Sequence, residues 1–282
     1  MRAIAVTTSR VLLVLAMIAT GLMAGGSAAS AATTTINLCA LPAGHTITFE
    51  IPGITFDAGP ADVGPGGTLS RSFTAPASPS ASGAANAAGT YLYGSGGDGG
   101  RQQAMGLYGA LIVRPSTAGQ AYESAATAYD VEAPLVLSVV DPAFNQASDP
   151  MAFNMYTYRA TYWLINGKAY PATAGITAAA GQRVLLRYLN AGYDNTTMML
   201  LGMHEHVVAK DAWPLNSAYD AASDTLPAGA TEDAIATVPA GGGPSGGAFP
   251  LFNRQLHLTN GDQAGQSPTP PTGGGMLTFI HP

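Results

Sequence analysis

The stretch Met203-His204-Glu205-His206 places two imidazoles one residue apart, the spacing with the most obvious chemistry in this chain. In an extended segment, residues i and i+2 share a face. His204 and His206 would then point the same way, a workable chelating geometry for a metal ion. His257 and His281 complete a set of nitrogen ligands if the fold brings them near. Met198, Met199 and Met203 add soft sulfur suited to Cu(I). The plainer alternative leaves His204 and His206 on an exposed β-turn with no ligand role.

Cys39 is the only cysteine, so an intramolecular disulfide is excluded. A small buried hydrophobe is its simpler reading. His45 is its nearest imidazole, and no methionine stands close to complete a copper site of the His, Cys and Met kind. A Gly-x-Ser-x-Gly elbow, a phosphate loop, a zinc-finger spacing and a kinase motif are not expected. Asp57, Asp62, Asp98 and Asp211 lie in turn contexts, where carboxylates cap backbone amides. Tyr91, Tyr93, Tyr162 and Trp163 read as core aromatics rather than a carbohydrate platform.

Only 10% of the 282 residues are charged, while 47% are hydrophobic. Residues 1–32 read as a secretory signal: Arg2 and Arg10 precede the apolar run Val11–Ile18, and Ala29-Ser30-Ala31 offers a small-residue cleavage site. Its glycines, Gly21, Gly25 and Gly26, interrupt the apolar stretch short of the ~20 residues a membrane span needs. The expectation is a secreted, extracellular or cell-envelope protein with no membrane span after cleavage. Loss of Arg2 and Arg10 from the 11 bases leaves 9 against 17 acids, moving the net charge from −6 to −8. An acidic chain without a basic cluster has no electrostatic footprint for nucleic acid.

The elements that must position these residues are strands. Thr46–Ile51 alternates with period two, Leu69–Thr74 follows a Gly-Pro-Gly-Gly turn, and Thr90–Tyr93 precedes a glycine run from Gly94 to Gly100 that should end it. Leu111-Ile112-Val113 is buried and stopped at Pro115. Ala75–Ala88 is a low-complexity loop, and a polar, alanine-rich connector follows over 117–133. Beyond it, strands are expected over 133–141, 162–168, 183–189, 197–201, 206–211, 234–238, 248–258 and 276–280, with Asn166-Gly167 as a hairpin turn. Arg183 and Arg187 flank the apolar centre of their strand. Short strands with turn signals and hardly any helix indicate an all-β, Greek-key sandwich architecture.

Two groups of residues give this chain a family resemblance. Gly89-Thr90-Tyr91-Leu92-Tyr93, with Gln103-Ala104-Met105-Gly106-Leu107-Tyr108-Gly109-Ala110-Leu111-Ile112-Val113, resembles the end of the first domain of multicopper oxidases. Leu164–Pro171, Gly181–Gly192, Val207–Leu215 and Gly274–Ile280 resemble second-domain motifs of the same family. The resemblance implies two cupredoxin-like domains, at 33–116 and 134–282. The first is shortened, with no counterpart to the family's opening strands before Thr46. A missing strand would come from the other domain or from another chain, which raises the expectation of a homo-oligomer. The family's His-x-His ligands fall on Gly94 and Gly96, and no cysteine stands before the last strand. Copper is the cofactor the resemblance implies, yet five histidines are too few for a complete trinuclear centre within one chain. Two functions follow: a binding or structural module that has lost its copper ligands, or a copper-dependent oxidoreductase using His204, His206, His257 and His281 or an inter-chain site, its small-molecule substrate unknown.

Overall fold

The computed structural model describes residues 31–37, 47–56, 62–64, 68–74, 87–96, 98–261 and 273–282. Cys39, His45, Asp57 and residues 1–30 lie outside them. No helix among the described residues is long and apolar enough to cross a membrane.

Among the described residues, six strands build the N-terminal part: β1 (Ala31–Asn37), β2 (Ile47–Glu50), β3 (Asp62–Val63), β4 (Thr68–Thr74), β5 (Gly89–Ser95) and β6 (Tyr108–Val113). A single helical turn, α1 (Arg101–Ala104), joins the last two. The order β3-β2-β5-β6 makes one antiparallel sheet, and β1 and β4 form a ribbon. Phe73 of β4 meets Phe49, Ile51, Tyr91, Leu111 and Val113 in a shared core.

Two expectations change here. A strand does stand ahead of Thr46: the threonine-rich β1 pairs with β4 from Ala31↔Thr74 to Asn37↔Thr68, and β-branched residues favour that pleat. Nor does β5 end at Tyr93. Gly94 pairs with both Glu50 and Tyr108, and Ser95 with Phe49, so ladders on either side hold the glycine extended despite its freedom.

Among the described residues, eleven strands build the C-terminal part: β7 (Val131–Val140), β8 (Tyr162–Ile165), β9 (Ile176–Thr177), β10 (Arg183–Asn190), β11 (Thr196–Leu200), β12 (Glu205–Lys210), β13 (Trp213–Ala221), β14 (Ser223–Leu226), β15 (Thr231–Thr237), β16 (Phe249–Asn253) and β17 (Leu277–His281). One sheet runs β13-β12-β15-β10-β7-β8 and the other β14-β11-β16-β17-β9. Leu137, Val184, Leu186, Tyr188, Val207, Phe249, Leu251 and Ile280 fill the space between them.

Strand β10 carries buried residues on both faces because both are covered. Val184, Leu186 and Tyr188 enter the sandwich core, while Leu185 packs under the connector and Leu189 against the N-terminal part. Each fully buried leucine contributes about 1.5–3 kcal/mol. Arg187, expected to flank the strand's apolar centre, is fully buried instead. Its Nε donates to Glu132 at 2.7 Å, and its Nη1 to Thr90 at 2.8 Å and Asp233 at 3.0 Å. Tyr122 donates to the same Asp233 oxygen, Oδ2, at 2.5 Å. The connector is therefore packed: Ala121 and Tyr122 are buried against Leu185, Val208 and Ile235.

The two parts interlock. Thr90 of β5 donates to Asp233 at 2.7 Å, and Thr231 of β15 donates to the Thr90 carbonyl at 2.8 Å. Ala212, on the turn between β12 and β13, belongs to the core of the N-terminal part.

Candidate functional site

The resemblance directs attention to positions 94 and 96. Gly94 is buried near the end of β5, and the space where its side chain would begin is taken. A Cβ built there stands 2.8 Å from Gln103 Oε1, with the Leu107 carbonyl at 3.5 Å behind it. Gln103 hangs from α1 and donates through Nε2 to the Ala191 carbonyl at 3.2 Å, across to the C-terminal part. At Gly96 the carboxylate of Glu50 fills the corresponding space, its own residue exposed to solvent. Between them, Ser95 donates to Gln102 Oε1 at 2.7 Å, and the Gln102 amide donates to Asp98 at 2.8 Å. Copper sites of this kind are built on imidazole and thiolate. A carboxamide and an exposed carboxylate do not fit that ion.

The four histidines proposed as ligands lie on different elements. Alternation holds around His204 and His206: Glu205 turns inward and is only 1% exposed, His204 is exposed and His206 half-buried. His206 shares its Nδ1 with Asp220 at 2.7 Å, its cross-strand neighbour on β13. His281 ends β17, in the opposite sheet, and its ring lies beside that of Phe279. His257 follows β16 and stacks on Trp163, the rings 4.4 Å apart and 12° from parallel. Burial lowers its pKa. Among the described residues, no three His, Cys, Asp or Glu side chains gather into a group able to hold a metal ion.

Sequence reasoning passed over the inward residues. Glu205 accepts from the Tyr188 hydroxyl at 2.6 Å, and burial pushes its carboxyl up to about 8. Burial likewise raises Glu232 to about 7, against the pull of Lys210 at 3.0 Å. Burial alone would raise Asp224 too, but Tyr219 and Lys210 outweigh it and hold that carboxyl low. One signal was available in the sequence: an acid between two outward imidazoles on a strand must face the interior. Gly243-Pro244-Ser245-Gly246-Gly247 also fits the spacing of a nucleophile elbow. It lies on a tight turn bridged Gly243↔Gly247 and Ser245↔Ala248, not on the strand-to-helix turn an elbow requires.

No family model matches this chain, and no curated protein sequence matches it. Solved structures do. The blue copper oxidase from Nitrosomonas europaea matches with a TM-score of 0.69 at 20% identity, over 90% of this chain and 73% of that one. The fold is the cupredoxin fold. Multicopper oxidase mgLAC shares it with a TM-score of 0.69 at 19% identity, over 90% of this chain and 74% of that one. The copper nitrite reductase from Nitrosomonas europaea gives 0.65 at 20%, over 90% and 79%. At these identities the likeness is one of cupredoxin architecture. It covers both halves of the chain, and the first half is the shortened one.

Proposed function

We propose that this chain is an exported cupredoxin-fold protein acting as a binding or structural module, without the copper chemistry its fold hosts elsewhere. The observation that carries the reading is the filling of the positions at Gly94 and Gly96 by the Gln103 carboxamide and the Glu50 carboxylate. The scatter of His204, His206, His257 and His281 over separate elements supports it. The net negative charge argues against nucleic acid as a partner. A second copy of the chain is the partner class the short first domain suggests.

A second reading, a copper-dependent oxidoreductase, draws on one observation. Asp220 holds His206 at Nδ1, the outer-shell pattern that frees Nε2 for a metal. His204 stands exposed just before β12 begins.

Metal analysis after loading with excess Cu(II) and dialysis separates the two. The module reading expects less than about 0.1 equivalent retained and no phenol oxidation. About one equivalent retained, and lost in His204→Ala/His206→Ala, establishes the oxidoreductase reading instead.

A further inference from the structure

We propose that residues 94–96 and 98–103 work in this chain as a clasp between the two sandwiches, with Gly94 kept free of a side chain so that Gln103 can reach across. Three contacts leave this segment for the C-terminal part. Gln103 Nε2 donates to the Ala191 carbonyl at 3.2 Å, Tyr193 donates its hydroxyl proton to the Gly99 carbonyl at 2.8 Å, and the Arg101 guanidinium reaches the Phe153 carbonyl at 3.4 Å. The segment is braced from within by the Ser95 to Gln102 and Gln102 to Asp98 bonds. It is positioned on a strand that is itself paired on both sides.

Exclusivity follows from one distance. A Cβ on Gly94 would stand 2.8 Å from Gln103 Oε1, closer than Cβ atoms come to their neighbours, so the carboxamide has to shift. That oxygen ends a flexible side chain, so the overlap itself is relieved by a shift, and what a side chain at 94 would cost is the 3.2 Å bond from Gln103 to Ala191. Glycine inside a strand commonly marks such a close approach. Position 96 differs, because Glu50 is exposed and its carboxylate swings into water at little cost. The clasp stands whether or not copper is held elsewhere on the chain. Retention of copper at His204 and His206 would sink the proposed function and leave this inference untouched.

The test is thermal unfolding and amide hydrogen exchange on the full chain and five variants: Gly94→Ala, Gln103→Ala, Gly94→Ala/Gln103→Ala, Gln103→Glu and Gly96→Ala. Gly94→Ala and Gln103→Ala should each lower the Tm by about 2 °C or more and speed exchange at 99–104 and 190–193. Because both break one contact, the double variant should be no worse than the worse single. Gly96→Ala should stay within about 1 °C of the parent. Gln103→Glu keeps the length, lacks the amide donor, and should match Gln103→Ala, which keeps the test open if Gly94→Ala does not fold. Parent-like Tm and protection in Gly94→Ala or in Gln103→Glu overturns the clasp. So does strict additivity in the double variant, or a loss at Gly96→Ala equal to that at Gly94→Ala.

Discussion

The methyl group of Ala212 lies 2.5 Å from the point where a side chain would begin on Gly89. Asp211 and Ala212 both have positive φ, 50° and 59°, and join β12 to β13 through a two-residue turn of the mirror-image kind that hairpins prefer. The turn drives its tip into the core of the N-terminal part and meets β5 where only glycine leaves room. Gly89→Ala should therefore cost about 1–3 kcal/mol in urea-monitored stability, because the Ala212 backbone, at 2.9 Å, must move as well. The same dependence predicts that residues 33–116 alone will not unfold cooperatively. A sharp transition in that fragment would show that its core closes without Ala212.

Arg187 is the second joint. Its guanidinium binds Glu132, Asp233 and Thr90 with no exposed side-chain surface, and Glu132 is shared with Arg114 at 2.5 Å. Burial pushes the Glu132 carboxyl up, but Arg114 and Arg187 outweigh it and hold it below its ordinary value. Arg187→Met strands the buried Asp233 carboxylate, while Arg114 still holds Glu132, and should cost about 3–5 kcal/mol. Arg187→Met/Asp233→Leu removes the stranded charge and should recover a good part of that. Equal losses in the single and double variants would mean the arginine acts only through its packing.

Stability against pH should run opposite to the common acid-labile pattern over part of its range. Glu205 and Glu232 have folded values of about 8 and about 7, above the ordinary carboxylate value, chiefly through burial. A raised folded value means the folded chain keeps protons that the unfolded chain releases. Their contribution is fully present below the unfolded value of about 4.5 and is lost as pH rises towards 7 and 8. Glu132 and Asp224 are shifted downwards and work the other way, losing stability as the pH falls below about 4. The maximum should lie near about pH 5, with a decline of up to about 1.4 kcal/mol per pH unit per group on the alkaline side. Denaturant midpoints measured from pH 4 to 9 check this, and Glu205→Gln should flatten the alkaline limb.

Much of the sandwich was legible because its strands carry local signals. Asn166-Gly167 promised a hairpin turn, and both residues have the positive φ, 51° and 74°, that such a turn requires. The buried runs at Ala133–Val140 and Val184–Leu189 announced themselves by continuous apolar sequence. β13 did not, since Trp213–Ala221 is an exposed edge strand carrying Pro214 and pairing with β12 across a register shift. Tyr162 was expected in the core and is 37% exposed, near the other edge of the same sheet. The burial of Arg187 could not be read locally either: its partners Glu132, Asp233 and Thr90 lie 55, 46 and 97 residues away. The glycines at 94 and 96 were visible, but the side chains that occupy their space were not. Gln103 belongs to the matching frame and gives no sign in sequence of which way its carboxamide turns.

The burial of Ala121 and Tyr122 changes what severing the chain would do. A protease that found a bond near Glu123 would nick a seam rather than cut a tether. The two pieces would still migrate as one particle in a non-denaturing gel and separate only when unfolded.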